Sequence, residues 1–352
     1  MGGRRVLREL FDYAAIGGKV HAMLGNRLRQ EDFDKLMQMH TVPETAAFLL
    51  NTPGWGNCLQ GMDVEHVHRG ELEKRLRMGL AGEYDRLATF ASKGMRQLLR
   101  AMAAKAEAVE LLRFLRYFSA GHPADFAVNL PAGLLRRSHI RFDKLAARPD
   151  YQGLLQAVEG TVFYSSLKKT QPGENGFDYT MAEAAVQSAY YRGVLTSIQR
   201  AFHGEDRREL EEYFLRQCDF QNIVRILRMK RYFKVESEEV LRGLLPFSLK
   251  LKDGYLKELI KAPTWDEAMS ILKEGPYGPV FREEEHRQIE DYAFSFFQKG
   301  RQMIRRGRPS AFDGIIYLDI KEHELKNIIN VVECVRYQVP ENRRAAYLTP
   351  IY

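Results

Sequence analysis

DFQNIVRILRMKRYFKV, residues 219–235, is the key to the architecture, because two other stretches of the chain follow the same plan. They are EAVELLRFLRYFSA (107–120) and ELKNIINVVECVRYQV (324–339). Each opens with an acid: Glu107, Asp219 or Glu324. A polar residue follows three positions on (Glu110, Asn222, Asn327), then an aliphatic pair (Leu111/Leu112, Ile223/Val224, Ile328/Ile329), then a second polar residue (Arg113, Arg225, Asn330). Ile223, Ile226 and Leu227 stand at i, i+3, i+4, as do Leu111/Phe114/Leu115 and Ile328/Val331/Val332, so each copy is predicted to be a helix with one buried face. The leading acid is expected at the helix start, where the positive end of the dipole favours it. A unit repeated along a chain usually builds an architecture and not one catalytic cleft.

The repeat extends beyond this helix. FDKLMQMHTVPETAAFLLNTPGW (33–55), FDKLAARPDYQGLLQAVEGTVFY (142–164) and LKELIKAPTWDEAMSILKEGPYG (256–278) align without gaps. Leu36, Leu145 and Leu259 coincide, Thr52 matches Thr161, and Thr41, Asp150 and Thr264 fall where a short helix needs an N-cap. The first of these blocks lies near the N-terminus with no repeated helix before it. The last repeated helix lies near the C-terminus with no block after it. The two ends are therefore expected to join and complete one module, giving an all-α fold of three pseudo-symmetric helical modules closed into a ring. The expected modules are residues 1–105 with 320–352, 106–217, and 218–319.

Long proline-free stretches lead into the repeated helices. Residues 71–116 are expected to form one or two long amphipathic helices, Met181 to Arg228 a similar stretch, and a third is expected to begin at Glu283 and resume after GRPSAFDG (307–314). KKTQPGENGFDY (168–179) carries Pro-Gly and Asn-Gly turn signals and reads as a loop. GIIYLDI (314–320) fits a short strand or more helix.

A chain of 352 residues with 45% hydrophobic and 28% charged content is that of a soluble globular protein with a sizeable core. No run approaches the roughly 20 apolar residues of a membrane span, and MGGRRVLREL lacks the apolar core of a secretory signal. Cys58, Cys218 and Cys334 are odd in number and widely spaced, which reads as reduced thiols. The net charge of +7 admits nucleic acid, anionic lipid or an acidic protein as partner without choosing among them.

Catalytic patterns are not supported. GGKV (17–20) has Tyr13 and Val20 where a phosphate loop needs glycine and a hydroxyl residue, so it reads as a turn or helix segment. His66 and His68 stand at i, i+2, which points the two rings to different faces of a helix; they read as surface histidines. No Gly-x-Ser-x-Gly elbow occurs. REEEHRQIED (282–291) reads as a solvated face. The strongest charge feature is KGRQMIRRGR (299–308), with Lys299, Arg301, Arg305, Arg306 and Arg308 and no acid among them. It is a candidate partner interface, or a basic helix end complementing the dipole before Gly307. It carries no interleaved aromatic residues of the RNA-binding kind. The repeated polar positions Glu110, Arg113, Asn222, Arg225, Asn327 and Asn330 are either a polar socket for a partner or hydrogen bonds that fix one module to the next.

DFQNIVRILRMKRYF (219–233), KNIINVVECVRYQVP (326–340) and YAAIGGKVHAMLGNRLRQEDFDKLM (13–37) resemble the C subunit of bacterial and archaeal V/A-type ATPases, whose eukaryotic relative is the d subunit. The resemblance covers nearly the whole chain. It departs in the second module, where Glu110 replaces the usual asparagine and Ala120 stands at the position of Tyr232 and Tyr337. It implies a funnel-shaped, all-helical, non-catalytic rotor adapter without cofactor, metal or bound nucleotide. It also implies a peripheral place at the cytoplasmic face of the cell membrane, as part of a complex. The implied partners are the D and F subunits of the central stalk and the membrane rotor ring, with no nucleic acid and no direct membrane span. The implied role couples ATP hydrolysis or synthesis to proton or sodium transport. The competing readings are a helical-repeat interaction scaffold unrelated to ATPases, and a helical enzyme with an acidic metal site, which would need aspartate-rich pairs on facing helices.

Overall fold

The structure is a computed structural model that describes residues 2–129, 138–174, 176–233, 237–282 and 310–348. The described residues form helices and connecting turns, with no strand among them beyond one isolated bridge between Gly173 and Gly176. The chain divides into two compact units, Met1–Leu99 with Phe297–Tyr352, and Arg100–Phe296. The first unit thus contains both chain ends.

Among the described residues, three long helices build the first unit: Gly2–Leu24, Arg69–Phe90 and Phe312–Arg336. The sequence GIIYLDI is part of the last of these, which resolves the choice between strand and helix. Residues 312–318 are buried on every side, because helices Gly2–Leu24 and Arg69–Phe90 both cover them; a helix that is apolar all round belongs in a core. Gly314 allows that crossing, since a Cβ there would lie 3.1 Å from Ile16 Cδ1 and 3.8 Å from Leu87 Cδ1. Short helices Gln30–Met37 and Val42–Leu50 pack on Phe312–Arg336, and Gly56–Leu59 packs on Arg69–Phe90. Leu28, Phe33, Leu36, Leu49, Trp55 and Leu59 are all buried. Each such side chain contributes about 1.5–3 kcal/mol when removed from water.

The second unit contains the paired helices Tyr179–Ala201 and Gly204–Arg228. The break between them falls at Phe202–His203, and Gly204 takes a φ of 58°, which a side chain would resist. Helix Gly204–Arg228 runs on into a π-helical turn, Met229–Phe233. Two clusters of short helices follow the two repeated helices of this unit: Phe142–Ala147, Tyr151–Ala157 and Tyr164–Lys168, then Asp253–Lys261, Trp265–Glu274 and Gly278–Arg282. Ile223, Ile226 and Leu227 bury their face against Leu259, Ala268, Leu272 and Phe281.

The predicted caps form as a set. The side chain of Thr41 accepts from Glu44 N at 3.2 Å, Asp150 from Gly153 N at 2.6 Å and Thr264 from Glu267 N at 3.2 Å. The Thr52 and Thr161 hydroxyls donate to the carbonyls of Leu49 and Val158, both at 2.7 Å. The stretch 71–116 is two helices, Arg69–Phe90 and Lys93–Ser119, separated where Ser92 Oγ accepts from Met95 N. Residues 169–178 are the expected loop, between helices Tyr164–Lys168 and Tyr179–Ala201, apart from residue 175, which lies outside the described residues; Asp178 caps the second helix by accepting from Met181 N. GGKV lies inside helix Gly2–Leu24. His66 is exposed and shares a hydrogen bond with Asp63. Residues 283–309 lie outside the described residues, and with them the acidic run beyond Arg282 and the whole basic run Lys299, Arg301, Arg305, Arg306 and Arg308.

One expectation is corrected. The repeated acids do not open their helices. Glu107, Asp219 and Glu324 sit deep within Lys93–Ser119, Gly204–Arg228 and Phe312–Arg336, because the residues before each acid continue the helix without a break. The dipole therefore does not explain them, as its effect is confined to the first turn.

Candidate functional site: the buried acid junctions

Asp219 is fully buried, and its carboxylate holds the chain that leads into the next block of short helices. It accepts from Leu249 N (3.1 Å to each oxygen), Lys250 N (2.7 Å), Leu251 N (3.4 Å) and the Tyr277 hydroxyl (2.6 Å). A carboxylate out of water needs such donors, and backbone N–H groups in a turn need acceptors, so each satisfies the other. Burial and the Asp219 carboxylate together push the Tyr277 hydroxyl far above its ordinary pKa.

Glu324 repeats the arrangement with groups from the other end of the chain. Oε1 accepts from Leu28 N at 3.0 Å; Oε2 accepts from Trp55 Nε1 at 3.1 Å and from Lys321 Nζ at 2.6 Å. The Lys321 ammonium, itself buried, lies 3.8 Å from the centroid of the Trp55 ring. Tyr317, one turn before Lys321, donates to Glu83 Oε2 at 2.8 Å, and Glu83 is paired with Arg86. Tyr84 donates to Glu322 Oε1 at 2.8 Å.

Glu107 has the same task with fewer donors, accepting from the Ser138 hydroxyl at 2.6 Å and His139 N at 2.9 Å. The reason lies in the block that follows. Trp55 and Tyr277 each precede a glycine, Gly56 or Gly278, where a Cβ would collide with the carbonyl of Leu50 or Lys273 in the preceding helix. In the second block the buried aromatic residue is Phe163, which has no donor to offer.

A second device is shared by two of the junctions. Lys230 Nζ donates to Ile260 O at 2.8 Å and also to Ala262 O, closing the C-terminus of helix Asp253–Lys261. Arg344 Nη1 donates to Met37 O and Met39 O, both at 2.6 Å, at the end of helix Gln30–Met37. Met37 and Met39 occupy the positions of Ile260 and Ala262 in the repeat. The carbonyls left open at a helix end take a cation well. In the first copy of the repeated helix Phe118 holds the position of Lys230, and an aromatic cluster of Phe118, Tyr151 and Phe177 stands there instead.

The repeated polar positions find partners on their own helix, on the paired helix or in the turns beside them, although Arg225 Nη1 is buried without a hydrogen bond. Glu110 pairs with Arg113 on its own helix at 2.7 Å, and the Arg113 guanidinium lies 4.5 Å from the Phe126 ring centroid. Asn222 donates to Leu245 O at 3.0 Å and accepts from Leu245 N at 2.8 Å. Arg225 reaches the paired helix, donating to Glu183 Oε2 at 2.9 Å. Asn327 is buried, and Asn330 donates to Tyr347 O at 2.7 Å. No group of three or more metal-ligating side chains occurs among the described residues. The thiols are shielded: burial pushes Cys58 up to about 11 and raises Cys218 and Cys334 as well.

Burial outweighs the three donors of Glu324 and raises its carboxyl above the ordinary value of 4.5. A carboxyl with a raised folded-state pKa binds its proton more tightly in the folded chain. Its contribution to stability is full below the unfolded value and is lost as pH rises through the folded one. In urea unfolding as the pH rises from 4.5, the parent chain is therefore expected to lose stability and Glu324→Gln to lose less. Parallel curves for the two proteins would assign that slope to other groups.

These features define a class: an all-helical repeat protein in which a buried acid on each repeated helix fastens the chain leading into a cluster of short helices. The family model described as "ATP synthase (C/AC39) subunit" matches residues 16–347, and the chain belongs to that family. It is similar to the C subunit of the A-type ATP synthase of Methanosphaera stadtmanae (23% identical, covering 92% of this chain and 84% of the relative). It is also similar to those of Methanobrevibacter smithii (21%, covering 92% and 84%) and Thermococcus gammatolerans (22%, covering 92% and 86%). The protein is a subunit of an A/V-type ATP synthase. No helix among the described residues is long and apolar enough to cross a membrane.

Proposed function

We propose that this protein is a non-catalytic rotor adapter. It seats the central stalk, with its D and F subunits, on the membrane rotor ring at the cytoplasmic face, and so couples ATP hydrolysis or synthesis to proton or sodium transport. The observation that carries the reading is family membership over nearly the whole chain. The buried junctions support it, since an element that transmits torque must be rigid and closely packed. Family membership also removes the unrelated scaffold. Within the adapter we propose the three modules 1–105 with 320–352, 106–217 and 218–319, closed in a ring. The test is a rotary complex assembled with and without this chain. With it omitted, ATP hydrolysis by the catalytic head is expected to persist while ion translocation is lost. Translocation at the full rate without the chain would overturn the proposal.

The basic run 299–308 is proposed to face an acidic partner surface or lipid headgroups. Exposed charges steer association more than they hold it. Arg305→Glu with Arg306→Glu is expected to slow assembly and to change its dependence on ionic strength, while the isolated chain keeps its fold. Identical association rates at every salt concentration would reduce the run to a solvated segment.

A further inference from the structure

The two cation caps differ in one respect. Lys230 belongs to a π-helical turn that directly continues helix Gly204–Arg228, so its cap is carried by the long helix itself. Arg344 is carried by a separate segment. Helix Phe312–Arg336 ends at Tyr337, Gln338 adopts a φ of 53°, and Val339 N returns to Cys334 O at 2.8 Å. The chain then leaves the helix as a strap, residues 340–348, formed of the single turns Glu341–Arg344 and Ala345–Tyr347. Arg344 is the only buried side chain in this strap; residues 340–343 and 345–347 are exposed. The strap is held by the Arg344 guanidinium on Met37 O and Met39 O, by Asn330 on Tyr347 O, and by an exposed contact between His40 and Glu341 at 3.7 Å. A segment with one buried side chain, and that one charged, opens at a small fraction of the free energy of the helices beneath it.

We propose that residues 340–348 are a detachable strap, latched by Arg344, that opens while the rest of the unit stays folded. Opened, it frees the carbonyls of Met37 and Met39 and the end of helix Gln30–Met37; closed, it fixes them. The device is independent of the rotor-adapter reading, because it rests only on contacts inside this chain.

The test is amide hydrogen exchange on the full-length protein, its Arg344→Ala and Arg344→Lys variants, and Lys230→Ala as the counterpart. In the parent chain the amides of Arg343 and Leu348 are expected to exchange far faster than those in the middle of helix Phe312–Arg336. Arg344→Ala removes three charge-assisted hydrogen bonds, those to Met37 O and Met39 O and one from Nε to Val339 O at 2.8 Å. It is expected to speed exchange at Gln38, Met39 and the strap by roughly ten- to a hundredfold, with the long helices unchanged. Arg344→Lys should restore part of the protection, since an ammonium does this work at Lys230. Strap amides as slow as the helix interior in the parent chain would overturn the proposal. So would an Arg344→Ala effect spread evenly over the unit, or no effect at Gln38 and Met39.

Discussion

Replacing Asp219 with alanine is expected to cost about 3–5 kcal/mol, because the substitution strands several buried donors at once. Leu249 N, Lys250 N and the Tyr277 hydroxyl all aim at that carboxylate, and no water reaches a residue with no exposed surface. Asp219→Asn should recover little. Its amide nitrogen is a donor, and whichever way it is turned it meets another donor. Tyr277→Phe removes one bond and one group together, so about 1–1.5 kcal/mol is expected. Glu107→Ala should be milder than Asp219→Ala, since its partners are one hydroxyl and one backbone N–H. Urea unfolding of the four variants checks the order; an Asp219→Ala chain as stable as Glu107→Ala would refute the account of the junctions.

Glu324→Leu is expected to be as damaging, at about 3–5 kcal/mol, for a different reason: it leaves the Lys321 ammonium buried without its counter-charge. The pair itself need not be stabilising, since a buried ion pair often does no better than apolar residues of similar volume. Lys321→Met combined with Glu324→Leu should therefore recover much of the loss, leaving mainly the orphaned Leu28 N and Trp55 Nε1. Trp55 fluorescence reports the same event, because its ring stacks on the ammonium and its indole N–H donates to the carboxylate. A double variant no more stable than Glu324→Leu alone would show that the lost acceptor, not the bare charge, governs the site.

Much of the fold is legible in the sequence. The caps at Thr41, Asp150 and Thr264 are local, so a spacing rule finds them, and the register of the repeated blocks is enough to bring the chain ends together. The junctions are hidden for three reasons. First, the repeated acids look like helix starts when read locally, yet their partners lie 30 residues away for Asp219 and 296 for Glu324. Second, the ungapped alignment sets Trp55 opposite Gly278, one position from Tyr277, so two equivalent aromatic donors fall out of register. Third, Lys230 and Arg344 reach matching carbonyls from positions the repeat does not relate. Gly56 and Gly278 hold the usable signal, since both are required by close approach of a carbonyl. GIIYLDI stays ambiguous because a fully buried segment loses the periodicity that separates helix from strand.

The bond from Leu28 to Glu324 also bears on how the protein is made. Leu28, Phe33 and Leu36 leave the ribosome long before the helix that covers them, and Leu28 is separated by 296 residues from its acceptor. At about 5–20 residues per second, the N-terminal block waits on the order of 15–60 s with its apolar face open. During that interval the whole of the second compact unit, Arg100–Phe296, is synthesised. Synthesis in the cell therefore runs against the connectivity of the first unit, and its earliest residues are the ones that a holding chaperone has most reason to meet.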